Sequence, residues 1–451
     1  MDRKRGGVSG RSAGSGIGRG LLVLLLAAAC ATNPSVSIEP FVGAVVPGKV
    51  VTAFNVEAEL ARGRFLEVSS YLESLPASER NDSSNLMLAG RVWLARGDAA
   101  AAGKALEAAL SGSIAGGKRA DAEWALSQAR ILADDFREAA HHASLAVRAG
   151  LYLSPGFVRF LESLSGSELY AGLRPSESVV TGFTMGPYDL IRVPVGINGR
   201  PSDAVLDTGA SYSIVTRSFA RLAGVREIAD SEAYGLGLHQ KPIPLTFGVV
   251  DELTIGEARM RAVPVMIMPD DALHFETARG PLPIASVLGL HLLKDFTVDI
   301  DYIGRRLTLE RHAGPGPGSD ADQNLFFARN KVMARVTVNE SPWTLFLLDT
   351  GSELTMMTTA GVRRLGVRTA TGIFPKRVEG IGKARVSWGK VQDVSIGLAS
   401  YRLRFRDMVV AETDDTIEDG VVGSSALARF RARIDFRHMR LELDARTAPA
   451  P

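Results

Sequence analysis

The chain has 451 residues but only one cysteine, Cys30, and its formal net charge is only +2. A single cysteine excludes intrachain disulfides and cysteine-rich metal sites. The small net charge argues against nucleic acid as a partner, because nucleic-acid binders usually carry a strong basic excess on one face. The sequence also lacks His-Glu-x-x-His, Gly-x-x-x-x-Gly-Lys-Ser/Thr and histidines at metal-ligand spacing. We therefore expect no metal and no organic cofactor.

The first 30 residues have the pattern of an export signal. Basic residues within 2–20 precede the apolar run 21–29, which is followed by Cys30. This run is too short to span a bilayer as a helix. The sequence Leu-Ala-Ala-Ala-Cys at 26–30 resembles a bacterial lipobox, although Ala27 stands where that motif prefers leucine.

The lipobox resemblance implies a signal peptide over 1–29 and a lipid anchor on Cys30, which becomes the first residue. It also implies a periplasm-facing location in the bacterial cell envelope. Because Ala31 rather than aspartate follows the cysteine, the outer membrane is favoured over the inner membrane. The alternative is a plain secretory signal that is cut near Ala29 or Ala31 and leaves an incidental cysteine.

Residues 30–50 are predicted to form a tether, and residues 51–165 a helical domain with apolar positions at three- and four-residue spacing. The sequence Leu-Ala-Arg-Gly at 60–63 recurs at 94–97, after 34 residues, and a looser copy lies at 132–135. This period resembles that of tetratricopeptide repeats. A plain helical bundle is the alternative. Stacked helix pairs form concave surfaces, so this domain is a candidate binding surface for a partner protein.

From about residue 177 the sequence becomes rich in short alternating apolar runs, which glycine, proline and asparagine interrupt. This pattern predicts an all-β region. A linker rich in glycine and proline at 313–323 divides it into lobe 1, 177–312, and lobe 2, 324–446. The predicted strands include Leu190–Ile197, Ala204–Leu206, Leu253–Ile255, Val263–Met268 and Phe296–Ile300.

The two β-rich lobes are copies of one unit. Asp-Thr-Gly-Ala at 207–210 and Asp-Thr-Gly-Ser at 349–352 each follow an apolar strand, at an offset of 349 − 207 = 142. Downstream, Val-Leu-Gly ending at Gly289 matches Val-Val-Gly ending at Gly423. A lone Asp-Thr-Gly is a weak signal, because Asp and Gly are common in turns. Two copies at equivalent places in an ordered repeat are a strong one.

These motifs resemble those of the retropepsin-like and pepsin-like aspartic proteases. The resemblance covers about residues 177–445. It implies two retropepsin-like acid-protease barrels that face each other in one chain. Because the linker at 313–323 is long enough for the two lobes of one chain to pair, a monomer is favoured over a lobe-exchanged dimer. The resemblance also implies a peptide or protein substrate and an Asp207/Asp349 pair that activates water for peptide-bond hydrolysis. Gly289 and Gly423 would support the catalytic loops.

The neighbours of the two aspartates have expected roles of their own. Two carboxyl groups in close contact cannot both ionise cheaply, so they share a proton. The resemblance implies that Thr208 and Thr350 hydrogen-bond across the lobe interface. Gly209 and Gly351, which lack a side chain, are expected to let the backbone turn tightly. Ser352 offers a hydroxyl to Asp349, whereas Ala210 offers none to Asp207. From this difference we hypothesise activity nearer neutral pH than in pepsin.

Each lobe also contains a candidate flap that would close over the substrate. Tyr-Gly-Leu-Gly at 234–237 resembles the pepsin flap, and Glu-Gly-Ile-Gly at 379–382 is its counterpart without the tyrosine. Tyr234, Gly235, Gly237, Gly380 and Gly382 are thus flap candidates, and an ordinary glycine hairpin is the equal alternative. The rival to an enzyme is an envelope scaffold that retains the protease fold without turnover.

Overall fold

The computed structural model describes residues 22–23, 27–29, 36–40, 55–114, 116–172, 177–186, 189–236, 242–277, 280–312, 322–368, 377–380, 385–386, 389–411 and 418–445. Cys30 and most of the predicted linker lie outside these ranges, as do Gly237 and Gly382. Within the ranges, a helical N-terminal region precedes two β-rich lobes with barrel-like sheets. No helix in this part of the chain is long and apolar enough to cross a membrane.

The helices of the N-terminal region follow the amphipathic pattern of the sequence. Asn55, Asp82, Asp98 and Asp135 each precede a helix and accept a hydrogen bond from a backbone N–H of its first turn. The helices are α1 (Val56–Ala61), α2 (Phe65–Ser74), α3 (Ala77–Arg80), α4 (Ser83–Ala95), α5 (Ala99–Ser111), α6 (Gly117–Leu132), α7 (Phe136–Arg148) and α8 (Pro155–Leu164).

Each copy of the repeated sequence ends one helix and leads into the next. After α1 and α4 the chain turns at Gly63 and Gly97, which have φ of 76° and 82°. After α6 the turn falls on Asp134, with φ of 57°. The third turn therefore follows the second by 134 − 97 = 37 residues. The helix–turn–helix prediction is confirmed at all three copies, while the assignment to tetratricopeptide repeats stays a prediction.

Lobe 1 is built on a sheet that closes on itself. The strands are β4 (Ser178–Gly182), β5 (Thr184–Met185), β6 (Ile191–Ile197), β7 (Arg200–Leu206), β8 (Ser213–Thr216), β9 (Arg226–Glu227), β10 (Ala233–Leu236), β11 (Pro242–Ile255), β12 (Ala258–Met268), β13 (His274–Thr277), β14 (Gly280–Pro283), β15 (Ser286–Leu288), β16 (Phe296–Asp301) and β17 (Arg306–Arg311). The sheet closes because β11 pairs with both β12 and β6. Its helices are α9 (Arg217–Leu222) and α10 (Leu290–Leu293), and a 3-10 turn spans Asp270–Ala272.

Lobe 2 repeats this plan. Its strands are β18 (Leu325–Ala328), β19 (Lys331–Val338), β20 (Thr344–Leu348), β21 (Met356–Thr358), β22 (Arg377–Gly380), β23 (Arg385–Val386), β24 (Gly389–Leu398), β25 (Tyr401–Ala411), β26 (Gly420–Val422), β27 (Arg431–Asp435) and β28 (Arg440–Asp444). Its sheet closes because β19 pairs with both β20 and β24. Its helices are α11 (Thr359–Leu365) and α12 (Ser424–Leu427).

Short strands within the first 40 residues pair with strands of the two lobes. In lobe 1, β1 (Leu22–Val23) pairs with β10. In lobe 2, β2 (Ala27–Ala29) pairs with β22, and β3 (Val36–Pro40) pairs with β25. Part of the predicted tether is thus an edge strand of lobe 2.

The two lobes meet in a shared sheet with the order β28-β27-β16-β17-β4. In its centre β16 of lobe 1 pairs antiparallel with β27 of lobe 2, from Thr297 opposite Asp435 to Asp301 opposite Arg431. Arg431 also forms a bidentate ion pair with Asp299, at 2.7 and 2.6 Å. The lobes of one chain are therefore joined directly to each other.

The helical region packs against both lobes and shares their cores. On lobe 1, Phe160 of α8 stacks on Phe247 of β11, with ring centroids 4.1 Å apart. On lobe 2, Phe65 of α2 packs against Phe326 of β18 at 5.5 Å. Each pair belongs to a larger buried apolar cluster that combines helices and strands. The helices are thus part of the framework that carries the lobes.

Candidate active site

The two Asp-Thr-Gly loops leave equivalent strands in the two lobes. Asp207 follows β7 and its N–H donates to the Leu288 carbonyl at 3.0 Å, while the N–H of Asp349, after β20, donates to the Val422 carbonyl at 3.0 Å. These acceptors end β15 and β26, which run parallel to β7 and β20. The repeat predicted from the sequence is thus a structural repeat.

Gly289 and Gly423 let the chain pass directly beneath the two loops. A methyl group on Gly289 would lie 2.3 Å from the carbonyl carbon and oxygen of Tyr212, and one on Gly423 would lie 2.4 Å from the Leu354 carbonyl oxygen. Both distances are too short for any side chain. The N–H groups of the two glycines donate to the Ser213 and Thr355 hydroxyls, each at 3.1 Å.

Two buried threonines connect the loops across the lobe interface. The Thr208 hydroxyl donates to the Leu348 carbonyl at 2.7 Å, and the Thr350 hydroxyl donates to the Leu206 carbonyl at 2.8 Å. Each hydroxyl also accepts the backbone N–H of the other threonine, at 3.1 Å. The four bonds fix the position of one loop relative to the other, as the sequence predicted.

The loop glycines bring the two carboxyl groups together. A methyl group on Gly209 would lie 2.7 Å from Cγ of Asp349, and one on Gly351 would lie 2.4 Å from Cγ of Asp207. Each glycine therefore faces the carboxyl group of the opposite lobe, and neither position has room for a Cβ. Both aspartates are buried, with exposed fractions of 0% and 1%.

Burial is the main influence on the charge of this pair. It raises the pKa of Asp207 well above the ordinary value, and the nearby Asp349 charge raises it further. Burial also raises the pKa of Asp349, to about 7, although the hydrogen bond with Asp207 and the Gly351 N–H oppose the shift. The pair therefore holds at least one proton throughout the acidic range.

The residues that follow the glycines act through their backbones. Oδ1 of Asp207 accepts the N–H groups of Gly209 and Ala210, at 2.7 and 3.0 Å. The Ser352 hydroxyl donates to the Leu354 carbonyl at 3.1 Å and makes no bond to Asp349. The expected Ser352–Asp349 side-chain bond is thus wrong, because the hydroxyl has one proton to donate and donates it to the Leu354 carbonyl.

The first candidate flap forms part of a hairpin. Tyr234 and Gly235 lie on β10, opposite Pro244 and Ile243 of β11, and the tyrosine is 56% exposed. The hairpin base is held by α8, since Ser154 donates to the Glu232 carbonyl at 3.2 Å. Gly380 ends β22 in lobe 2. Gly237 and Gly382 lie outside the described residues, and the flap role of all these positions stays a prediction.

Lys331 is a charged neighbour of the pair that the motif search missed. It begins β19, is only 4% exposed, and its Nζ donates to Oε1 of Glu418 at 3.1 Å. The β19–β20 register runs to Met333 opposite Leu347, and continuing it by two residues sets Lys331 opposite Asp349. Alignment of the two copies on Asn198 and Asn339 places a leucine at the corresponding position of lobe 1. This charged residue at an apolar position was a sequence signal that could have been noticed.

Comparison with known proteins adds a family relationship to this geometry. Residues 193–292 and 334–426 match a family model described as aspartyl protease, once in each lobe. These matches support a relationship of both lobes to aspartic proteases. No curated protein matches the sequence. Among the described residues, no group of three or more histidine, cysteine, aspartate or glutamate side chains could hold a metal ion.

Three solved structures are similar to parts of the chain. A retropepsin-like aspartic protease from Rickettsia conorii is 18% identical and covers 30% of this chain and 92% of its own, with a TM-score of 0.21. An aspartic proteinase from Irpex lacteus is 14% identical and covers 60% of this chain and 97% of its own, with a TM-score of 0.33. Basic 7S globulin from soybean is 10% identical and covers 60% of this chain and 96% of its own, with a TM-score of 0.37. None of these scores reaches 0.5, so the relationship rests on the family model.

Proposed function

We propose that the chain is an aspartic endopeptidase in which Asp207 and Asp349 together activate one water for peptide-bond hydrolysis. The observation that supports this most is the contact of two buried carboxyl groups, one from each lobe, on loops that cross-lobe threonine bonds hold in place. A turn with a purely structural role would need neither a second carboxyl group opposite it nor a glycine so close to that carboxyl group that no Cβ fits.

The pair can supply both the base and the acid that hydrolysis needs. The ionised carboxylate takes a proton from the water while the water oxygen attacks the peptide carbonyl carbon, and the protonated carboxyl gives its proton to the carbonyl oxygen. The tetrahedral intermediate then collapses. The C–N bond breaks, the base returns its proton to the leaving nitrogen, and the other carboxylate recovers a proton from the intermediate.

The raised pKa values support activity near neutral pH. The mechanism needs one proton on the pair, and this form appears as the pH rises through the first ionisation step, which the pKa of Asp349 places at about 7. We expect a rate optimum above about pH 4. This expectation rests on burial and no longer on a Ser352 hydroxyl bond. An optimum below pH 4 would contradict it.

We also propose that the enzyme is anchored by lipid at Cys30 and faces the periplasm, with the outer membrane as its site. Support comes from the basic segment, apolar run and cysteine at the start of the sequence. Incorporation of a radiolabelled fatty acid by wild type and by Cys30→Ser, in a bacterial host, tests this proposal. Label that persists in the variant would contradict the anchor.

We propose further that the helical region binds a protein, either the substrate or a partner. Two apolar side chains at the end of α7 and just beyond it, Val147 and Tyr152, are 41% and 63% exposed. Removing the whole region would uncover apolar faces of both lobes, so point variants are the better test. Val147→Ser with Tyr152→Ser should slow cleavage of a native protein substrate and spare a short peptide. Equal effects on both substrates would reject recruitment.

The direct test of the proposed activity is cleavage of an unfolded protein between pH 3 and pH 8, with and without pepstatin. Wild type and the exposed-site control Asp271→Asn should cleave, while Asp349→Asn should lose at least about 1,000-fold of the rate, since acid–base and electrostatic terms are both lost. Loss in the variant without pepstatin inhibition would keep the pair and indicate a cleft with different subsites. Absence of cleavage by folded wild type would favour the scaffold function.

A further inference from the structure

The two aspartates stand in similar loops but in different electrostatic surroundings. The register of β6 and β7 runs to Arg192 opposite Val205, and continuing it by two residues sets Leu190 opposite Asp207. The same construction in lobe 2 sets Lys331 opposite Asp349. Leu190 is 2% exposed and packs in an apolar cluster. A leucine therefore flanks one aspartate where a buried cation flanks the other.

The hairpin that carries Lys331 is fixed from three directions. Its two turn residues, Arg329 and Asn330, both have positive φ, as a tight two-residue turn between strands requires. The Asn330 carbonyl accepts the hydroxyl of Ser211, which follows the Asp207 loop, at 3.1 Å. The Asn330 side chain accepts a bond from Gln128 of α6 at 3.3 Å. Lobe 1, lobe 2 and the helical region together hold this turn beside the pair.

We propose that Lys331 breaks the symmetry of the pair, so that in the resting enzyme Asp349 is ionised and Asp207 carries the shared proton. This inference rests on the proposed function for its mechanistic meaning. It assigns Asp349 as the base that takes a proton from water and Asp207 as the acid that protonates the carbonyl oxygen. Lys331 touches neither reactant in this scheme and is a positioning residue that acts through Asp349.

The charges around Lys331 are consistent with this direction. Burial raises the pKa of Asp349, and the hydrogen bond with Asp207, the Gly351 N–H and the Lys331 charge oppose that rise. The two largest influences on Asp207, burial and the Asp349 charge, both raise its pKa. The ionised partner of Lys331 is Glu418, whose pKa Lys331 and Arg329 lower. The neighbouring acid Asp419 is bonded separately to Thr344 and Arg364. The cation is thus shared between Glu418 and the pair.

The test is a pH titration of the two carboxyl carbons by ¹³C NMR in the full-length protein, with signals assigned through Asp207→Asn and Asp349→Asn. In wild type the Asp349 signal should move in the first ionisation step and the Asp207 signal only in the second. The double variant Lys331→Met/Glu418→Gln removes the cation without leaving a buried carboxylate unpaired. Because a lost nearby cation raises a carboxyl pKa by about one to three units and lost Glu418 offsets part of this, we expect the first step to rise by about one pH unit.

Two controls separate the electrostatic role from a structural one. The single variant Lys331→Arg keeps the positive charge and should show the wild-type order of ionisation. Lys294→Met removes another buried lysine, which lies in lobe 1 and binds Asp134 of the helical region and Asp295, each at 2.8 Å. This variant should leave the titration of the pair unchanged. A double variant that titrates like wild type, or a wild-type Asp207 signal that moves first, would overturn the inference.

The titration does not depend on turnover, so the two proposals can fail separately. Ordered ionisation in a protein that cleaves nothing would reject the proposed function and keep the role of Lys331. Cleavage by a protein whose two signals move together would reject the role of Lys331 and keep the proposed function. In an active enzyme, the acidic limb of the profile of kcat/KM against pH should move upward with the first ionisation step.

Discussion

The buried aspartates should cost the fold stability at neutral pH, and Asp349→Asn measures that cost. The substitution replaces a titrating carboxyl with a neutral side chain of the same shape. The folded-state pKa of Asp349 is raised from 3.8 to about 7. A raised pKa means that folding favours the protonated form. Its stabilising contribution is therefore complete below pH 3.8 and is lost as the pH rises through about 7.

The size of the effect follows from the shift. About three pKa units at ~1.4 kcal/mol each give roughly 4 kcal/mol for the wild type between pH 4 and pH 8. Asp207 stays in the variant and is itself buried with a raised pKa. The asparagine variant therefore avoids only the part of the cost that comes from charging Asp349. We expect the melting temperatures of variant and wild type to coincide near pH 4 and the variant to melt higher at pH 8.

The assay is thermal unfolding at several pH values, with Asp271→Asn as an exposed control that should follow wild type throughout. A stability difference that is the same at pH 4 and pH 8 would refute the reasoning, because it would show a packing effect with no titration behind it. A variant that melts lower than wild type at pH 8 would refute it too, since the ionised pair would then stabilise the fold.

Three further substitutions test other parts of the site. Thr350→Val removes the bonds to Leu206 and to the Thr208 N–H, so stability should fall by about 2 kcal/mol and cleavage should nearly vanish, as unfolding and peptide assays would show. Ser352→Ala should leave the pH profile of cleavage unchanged, because the hydroxyl binds the Leu354 carbonyl; an acidic limb that moves would contradict this. Phe160→Ala should lower stability by about 3–5 kcal/mol in denaturant unfolding, because its ring stacks on Phe247, and a change below 1 kcal/mol would mean that the helices pack loosely.

The pairing of the lobes could be predicted because the same motifs recur in the same order in each lobe. Each lobe has an apolar strand, then Asp-Thr-Gly, then a hydrophobic-hydrophobic-Gly element. The cross-lobe threonine bonds and the position of Gly289 and Gly423 were implied by the resemblance to aspartic proteases that this repeat carries. The helix–turn–helix pattern was predictable for the same reason, since Gly63 and Gly97 mark turns that need positive φ.

What the sequence did not predict depends on contacts between distant segments. Asp134 takes a turn position that glycine fills in the other copies, and its carboxylate binds Lys294 at 2.8 Å in lobe 1. The docking of α8 through Phe160 on Phe247 likewise has no local signature. An amphipathic helix shows that it buries a face, but the surface that covers this face is set by tertiary packing.

The Ser352 prediction failed at a different level. A hydroxyl has one proton to donate, and the conformation of the loop, which the sequence does not specify, decides which acceptor receives it. Lys331 was missed because it lies outside the repeated motifs. Its burial with Glu418 becomes visible only when the two copies are aligned and the apolar Leu190 is seen at the same place.

The most direct test of the central claim is the rate of cleavage of an unfolded protein by wild type, by Asp207→Asn, by Asp349→Asn and by an equal mixture of the two variants. We expect cleavage by wild type alone, because one active site needs both aspartates of the same chain. Recovery of activity in the mixture would mean that lobes pair between chains. Cleavage that survives in either single variant would contradict the paired-aspartate mechanism itself.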